Sequence, residues 1–159
     1  MDLTIRLARE EDRESLVRLA NAFRDHLGHS TPSEVEFRTS FAALLQDVWA
    51  EFFLACDGQG MALGYVQARY RYSAWTSALE AELEDVFVIP EARRSRVGRR
   101  LVEFAIARAA ERGCRSMGLN TNERNTAALA LYRQVGLRSE RPWWGGGRQL
   151  WLSKSLETP

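Results

Sequence analysis

The residues with chemical reach are concentrated between Glu80 and Gly113. Glu84 and Asp85 lead into Val86, Phe87, Val88 and Ile89, an apolar run of β-branched and aromatic residues stopped by Pro90. Such a run reads as a strand. Acids are depleted in strands, and successive side chains point to opposite faces. One of the two carboxyls therefore serves a structural hydrogen bond or ion pair, and the other could act as a base, with Glu82 on Glu84's face as the reserve. After Pro90 come five arginines at positions 93, 94, 96, 99 and 100, and from Val97 the apolar residues Leu101, Val102, Ala105, Ile106 and Ala109 fall at helical spacing. A strand, a tight turn and a helix N-terminus make an anion site, because the first amides of a helix lack partners and its dipole favours negative charge there. Arginines at that end oppose the dipole, so they read as ligands for a polyphosphate rather than as helix stabilisers. The bland alternative is a solvated basic face. Tyr132 lies on a later apolar helix face with Ala128, Leu131 and Val135, where on periodicity alone it reads first as a core aromatic.

The elements that must position these residues follow in order. Leu3–Ala8 alternates as a first strand, and Glu10–Leu27 is an amphipathic helix ended by Gly28. A second helix starts at Thr31, with Pro32 at its first position. Phe52–Cys56 and Met61–Tyr72 are two strands joined by a hairpin turn, Asp57-Gly58-Gln59-Gly60. Arg115–Thr121 is a strand beyond the central helix, and Asn125–Val135 a helix closed by Gly136. Leu137–Trp144 and Gln149–Leu152 are expected as a last pair of strands. Tyr70, Tyr72, Trp75 and the Trp143-Trp144 pair leave room for an aromatic pocket suited to an amine by cation–π contact. The order β-α-α-β-β-β-α-β-α-β-β gives a mixed α/β class (α+β mixed): a central mixed sheet of about seven strands with helices on both faces.

The 159 residues fit a single domain, 1–159, with an ordinary 45% hydrophobic and 27% charged residues. A net charge of +1 predicts no nucleic-acid or membrane partner. Of 22 basic residues only Lys154 is lysine, which base composition of the coding sequence explains without function. Cys56 and Cys114 lack metal or disulfide-framework spacing, and His26 and His29 have too few companions for a metal site, so no metal is expected. No apolar stretch reaches membrane-span length and no leader is legible, so the cytoplasm is the expected location.

The string V-I-P-E-A-R-R-S-R-V-G-R-R-L resembles the acyl-coenzyme A signature of the GNAT superfamily of N-acetyltransferases. Its core pattern, [Q/R]-x-x-G-x-[G/A], falls on Arg93, Arg96 and Gly98, with arginine at 96 where the family has glycine. A second segment, Asn125-x-x-Ala128-x-x-Leu131-Tyr132-x-x-x-Gly136-Leu137, is similar to the family's N-x-x-A-x-x-L-Y-x-x-x-G-F. The local string L-E-D-V-F-V at 83–88 resembles L-E-D-F-F-V of the diamine (spermidine/spermine) branch.

The resemblance implies a fold whose fourth and fifth strands splay to admit the pantetheine arm of acetyl-CoA. It implies pyrophosphate held by Arg93, Arg94, Ser95, Arg96, Val97, Gly98 and Arg99. It places the Val86, Phe87 and Val88 backbone along the pantetheine, and Asn125 at the cofactor. It gives Glu84 the role of base and Tyr132 that of proton donor to sulfur. The expected activity is acetyl transfer to a primary amine of a small molecule, the alternatives being a peptide or protein amine and a non-catalytic acyl-CoA module. Many such relatives are dimers, and the late strands are the candidate contact.

Overall fold

The computed structural model describes residues 2–139, 145 and 150–157. Five strands form one sheet in the order of the chain: β1 (Leu3–Leu7), β2 (Ala50–Asp57), β3 (Ala62–Ser73), β4 (Ala78–Val88) and β5 (Cys114–Leu119). The first four run antiparallel and β5 lies parallel to β4. A parallel neighbour requires a crossover, and α3 (Val97–Glu111) supplies it. Helices α1 (Arg13–His26) and α2 (Glu34–Leu44) precede β2, and α4 (Thr126–Gln134) follows β5. Short 3-10 turns stand at Glu10–Asp12 and Pro90–Ala92.

Both faces of the sheet are covered, so its central strands read as continuous apolar runs. Phe53, Ala55, Val66, Ala68 and Leu83 pack on Leu101, Val102 and Ala105 of α3. Phe52, Leu54, Tyr65 and Phe87 pack on Leu16 and Leu19 of α1 and Phe41 of α2. The far end of α3 is pinned to the sheet by Glu51, whose side chain is only 9% exposed. Its carboxylate accepts from Arg108 at 2.7 Å, Arg112 at 3.0 Å and the Tyr70 hydroxyl at 2.8 Å.

The element order agrees with the sequence reading through α4 and departs from it afterwards. Leu137–Ser139 and Leu150–Leu152 are not in strands, and the remainder of the expected last pair, 140–144 and 149, lies outside the described residues together with Trp143 and Trp144. Leu150, Trp151 and Leu152 are 73–87% exposed, so among the described residues they have neither a ladder partner nor apolar cover, the two things that make a strand worth forming. The start of α2 also differs. Ser33 rather than Thr31 caps it: its hydroxyl accepts from Glu36 N–H, and the Glu36 carboxylate accepts from Ser33 N–H at 2.7 Å. That reciprocal box satisfies two orphan donors where a Thr31 cap would satisfy one. Among the described residues no helix is long and apolar enough to cross a membrane, and no group of three or more His, Cys, Asp or Glu is placed to hold a metal.

Gly64 sets how closely β3 approaches the functional half of β4. A Cβ there would lie 2.6 Å from the Phe87 carbonyl oxygen and 3.2 Å from Val88 Cα. Backbone cannot swing aside as a flexible side-chain tip can, so Gly64→Ala should destabilise by about 2 kcal/mol and lower Tm by roughly 4–8 °C. A thermal melt unchanged within a degree would show that β4 yields more readily than this packing implies.

Candidate active site

The β4–β5 ladder ends before β4 does. Its last pair is Leu83↔Leu119, while β4 continues through Val88, still paired to β3 as far as Gly64↔Val88. One edge of Glu84–Val88 is therefore open. Ile89 N–H donates to the Leu63 carbonyl, and backbone groups alternate sides along a strand. Val86 and Val88 thus turn their amides to the open edge, and Phe87 turns its own toward β3. The Val88 carbonyl accepts from Arg93 Nε at 3.1 Å.

A bulge in the same segment re-aims the two carboxyls. Gln67 pairs with Asp85 and Ala68 with Leu83, so Glu84 is the extra residue. The sequence reading placed Glu84 and Asp85 on opposite faces, and the bulge overturns it. Gln67 Nε2 donates to Glu84 at 2.6 Å, and the Tyr65 hydroxyl donates to Asp85 at 2.9 Å. Tyr65 and Gln67 are two apart on β3 and share a face, so both carboxyls lie on the α1 side. Val86 and Val88 turn instead to the α3 side, where they pack against its core. Burial pushes the Glu84 carboxyl up; Arg69 opposes this, and Glu82 and Asp85 add to it. Burial also raises Asp85, against the hydrogen bond from Tyr65.

The aromatic residues divide differently from expectation. Tyr70 is buried, bonded to Glu51 and covered by the Arg112 guanidinium 4.0 Å from its ring centre. It faces α3, as Tyr72 two residues on must also. Neither shares the carboxyls' face, and Trp75 is 89% exposed in the β3–β4 turn. These three do not line an acceptor pocket.

Beyond Pro90 the loop leaves a row of amides free. Arg93 N–H is taken by the Pro90 carbonyl and Arg100 N–H by that of Arg96; between them the amides of 94–99 meet no acceptor among the described residues. Arg94 and Arg96 both have φ of +64°, the left-handed region that favours glycine. Left-handed residues among ordinary ones curl successive N–H groups into an anion-binding concavity. Arginine at 96 thus adopts the backbone shape that glycine gives more easily. The first turn of α3 holds no acid. Arg99 pairs with Glu103 at 2.7 Å, and Arg94, Arg96 and Arg100 have no side-chain partner among the described residues. Ser95 turns its hydroxyl back to the Ala92 carbonyl.

Helix α4 closes the far side of the opening. Asn125 caps it, accepting from Ala128 N–H at 3.3 Å. A Cβ on Gly98 would rest 3.6 Å from Leu131 and 3.7 Å from Val88, so this glycine sits where α3, α4 and β4 meet. Tyr132 packs against the α3-side cluster with Val86 and Val88. Its hydroxyl bonds no described residue, and burial raises its pKa.

A profile of the Acetyltransferase (GNAT) family matches residues 14–137, which span β2 to β5 and all four helices. The chain belongs to that family. This acetyltransferase is 25% identical over 138 residues to the uncharacterized N-acetyltransferase YhfO of Bacillus subtilis, covering 87% of this chain and 91% of the relative. It is 27% identical over 144 residues to the peptidyl-lysine N-acetyltransferase YjaB of Escherichia coli, covering 87% and 84%. Its fold superposes with a TM-score of 0.77 on the aminoglycoside N-acetyltransferase AAC(6')-Iy in complex with CoA, at 22% identity over 96% of this chain and 94% of the other.

The acetyltransferase's loop geometry can be tested apart from turnover. Arg96→Gly removes left-handed strain of about 1 kcal/mol and adds a similar unfolded-state entropy, so Tm should stay nearly unchanged. Arg96→Val places a β-branched residue at the same φ and should lose roughly 1–3 kcal/mol. Equal melting of the two variants would remove the left-handed assignment.

Proposed function

We propose that this enzyme moves the acetyl group of acetyl-CoA to a primary amine of a small molecule by direct attack. The observation that carries the proposal is the coincidence of two open backbone rows, Val86 and Val88 on β4 and the amides of 94–99 at the start of α3. The second row suits a diphosphate, with Arg93, Arg94, Ser95, Arg96, Val97, Gly98 and Arg99 around it. The first suits an extended amide-bearing arm added like a strand. Of the β4 trio, Val86 and Val88 offer amides and Phe87 offers none. Asn125 combines a cap on α4 with a side-chain amide nitrogen that bonds no described residue and would lie beside the arm.

Glu84 takes the amine proton as the nitrogen lone pair attacks the thioester carbonyl carbon. A β4 amide on the open edge stabilises the oxygen charge that develops. The carbon–sulfur bond then breaks, and Tyr132 gives its proton to sulfur. A phenol raised by burial is held protonated at neutral pH, as a donor requires. Reactant positioning supplies much of the rate. Glu82, Glu84 and Asp85 on or beside one face, with the L-E-D-V-F-V string, support a cationic amine as acceptor. The peptidyl-lysine relative keeps a peptide amine as the second reading.

Calorimetric titration with acetyl-CoA should give a saturable heat, and a thiol-release assay over polyamines, amino acids, aminoglycosides and lysyl peptides should find the acceptor. No binding at millimolar acetyl-CoA would end the proposal. Tyr132→Phe should lower kcat by about 10²-fold with unchanged acetyl-CoA affinity. For Glu84→Gln the sign follows from the titrations. The wild-type base is active above its raised pKa, whereas the amine frees itself only near pH ~10. The deficit should therefore be largest near neutrality and narrow as pH rises toward 10. A deficit constant across pH would return Glu84 to a structural role.

A further inference from the structure

Gln67 is one of two buried polar or charged residues among the described ones, 7% exposed in the middle of β3. A glutamine at that depth in a strand needs a reason, since a buried amide without partners is costly and an apolar residue would pack as well. Its neighbours on the same face of β3 are Tyr65 and Arg69. Its amide nitrogen donates to Glu84 Oε2 at 2.6 Å, and Tyr65, 1% exposed, donates to Asp85 at 2.9 Å. The two donors grip the two consecutive carboxyls of the bulge. Without the bulge, alternation would send Asp85 to the α3 side and Val86 away from it.

We infer that Gln67 is a positioning residue for the Glu84 carboxylate, holding it on the α1 face of the sheet, with Tyr65–Asp85 as the second anchor of the bulge. The inference deepens the reading above and rests on Glu84 being the base. An amide donor to a carboxylate favours the ionised form. It therefore opposes the upward pull that burial exerts on this group. The charged groups around Glu84 are Arg69 from β3 and Glu82 and Asp85 from β4. Asn120, just past β5, is bonded to Glu82 at 3.4 Å. From α1, His26 lies against Phe87 at 6.4 Å between ring centres. From α4, Tyr132 lies on the opposite face.

The test compares Gln67→Met, which keeps the bulk and deletes the donor, with Gln67→Glu, which puts a carboxyl in its place. In both, the acid limb of the kcat/KM profile should move to higher pH, further for Gln67→Glu. For Gln67→Met kcat should fall roughly ten-fold at neutral pH, the loss of one hydrogen bond to a charged group. The KM for acetyl-CoA should be unchanged, which a merely structural defect would not leave untouched. Acetyl-CoA calorimetry on each variant certifies the fold, and either variant alone suffices for the readout. A limb unmoved in a folded Gln67 variant, while Glu84→Gln shifts it up toward the amine's own titration near pH ~10, overturns the role of Gln67 and leaves the base in place. A limb that stays at its wild-type pH in Glu84→Gln overturns the base itself and this inference with it.

Discussion

A backbone amide left open to solvent is a ready donor for a ligand, and this fold turns a row of amides with no acceptor among the described residues toward one opening. Two come from β4, where β5 has already ended. Six more follow in the loop and first turn of α3. Everything around the row keeps it from closing on itself. Gly64 lets β3 approach β4 closely from one side, and on the other side β5 pairs no further than Leu83. The apolar stripe of α3 is committed to the sheet through Leu101, Val102 and Ala105. Its far end is locked by Glu51 between Arg108, Arg112 and Tyr70. A helix with arginines crowded at its positive end is electrostatically ill-disposed in isolation; held at its other end, it can bear the arrangement.

Much of this was legible before any coordinates. The apolar run through Val86–Ile89, the stop at Pro90 and the helical stripe from Val97 define strand, turn and helix by period alone. The element order through α4 follows from the same patterns. What periodicity could not supply was the point at which two parallel strands part company, because no residue marks the end of a ladder. Nor could it supply the bulge at Glu84. Strict alternation gives Glu84 and Asp85 opposite faces, and the extra residue reverses that outcome without any glycine or proline to announce it. The signal was present on the partner strand, where Tyr65 and Gln67 occur two apart amid apolar residues.

Tyr70 shows the same limit from the other direction. Its position near a run of aromatics suggested a ligand-facing wall. The partner that decides its role, Glu51, is 19 residues away in sequence, and the arginines that complete the group lie on α3 and at its C-cap. Long-range pairing of polar groups is where a linear reading is weakest, because each member taken alone looks like an ordinary surface residue. Arg96 is the opposite case: a departure from the usual glycine that looks disruptive on paper turns out to share glycine's backbone angle.

The two halves of the opening are made of different stuff. The half that faces α3 and α4 is built chiefly from peptide groups, while the half that faces α1 is built from side chains, Gln67, Glu82, Glu84 and Asp85 among them. Mutation rewrites side chains freely and leaves the peptide group as it was. On the reading proposed above, in which the peptide half holds the donor and the side-chain half the acceptor, a lineage using this scaffold can drift from one acceptor to another while inheriting an unaltered grip on its donor.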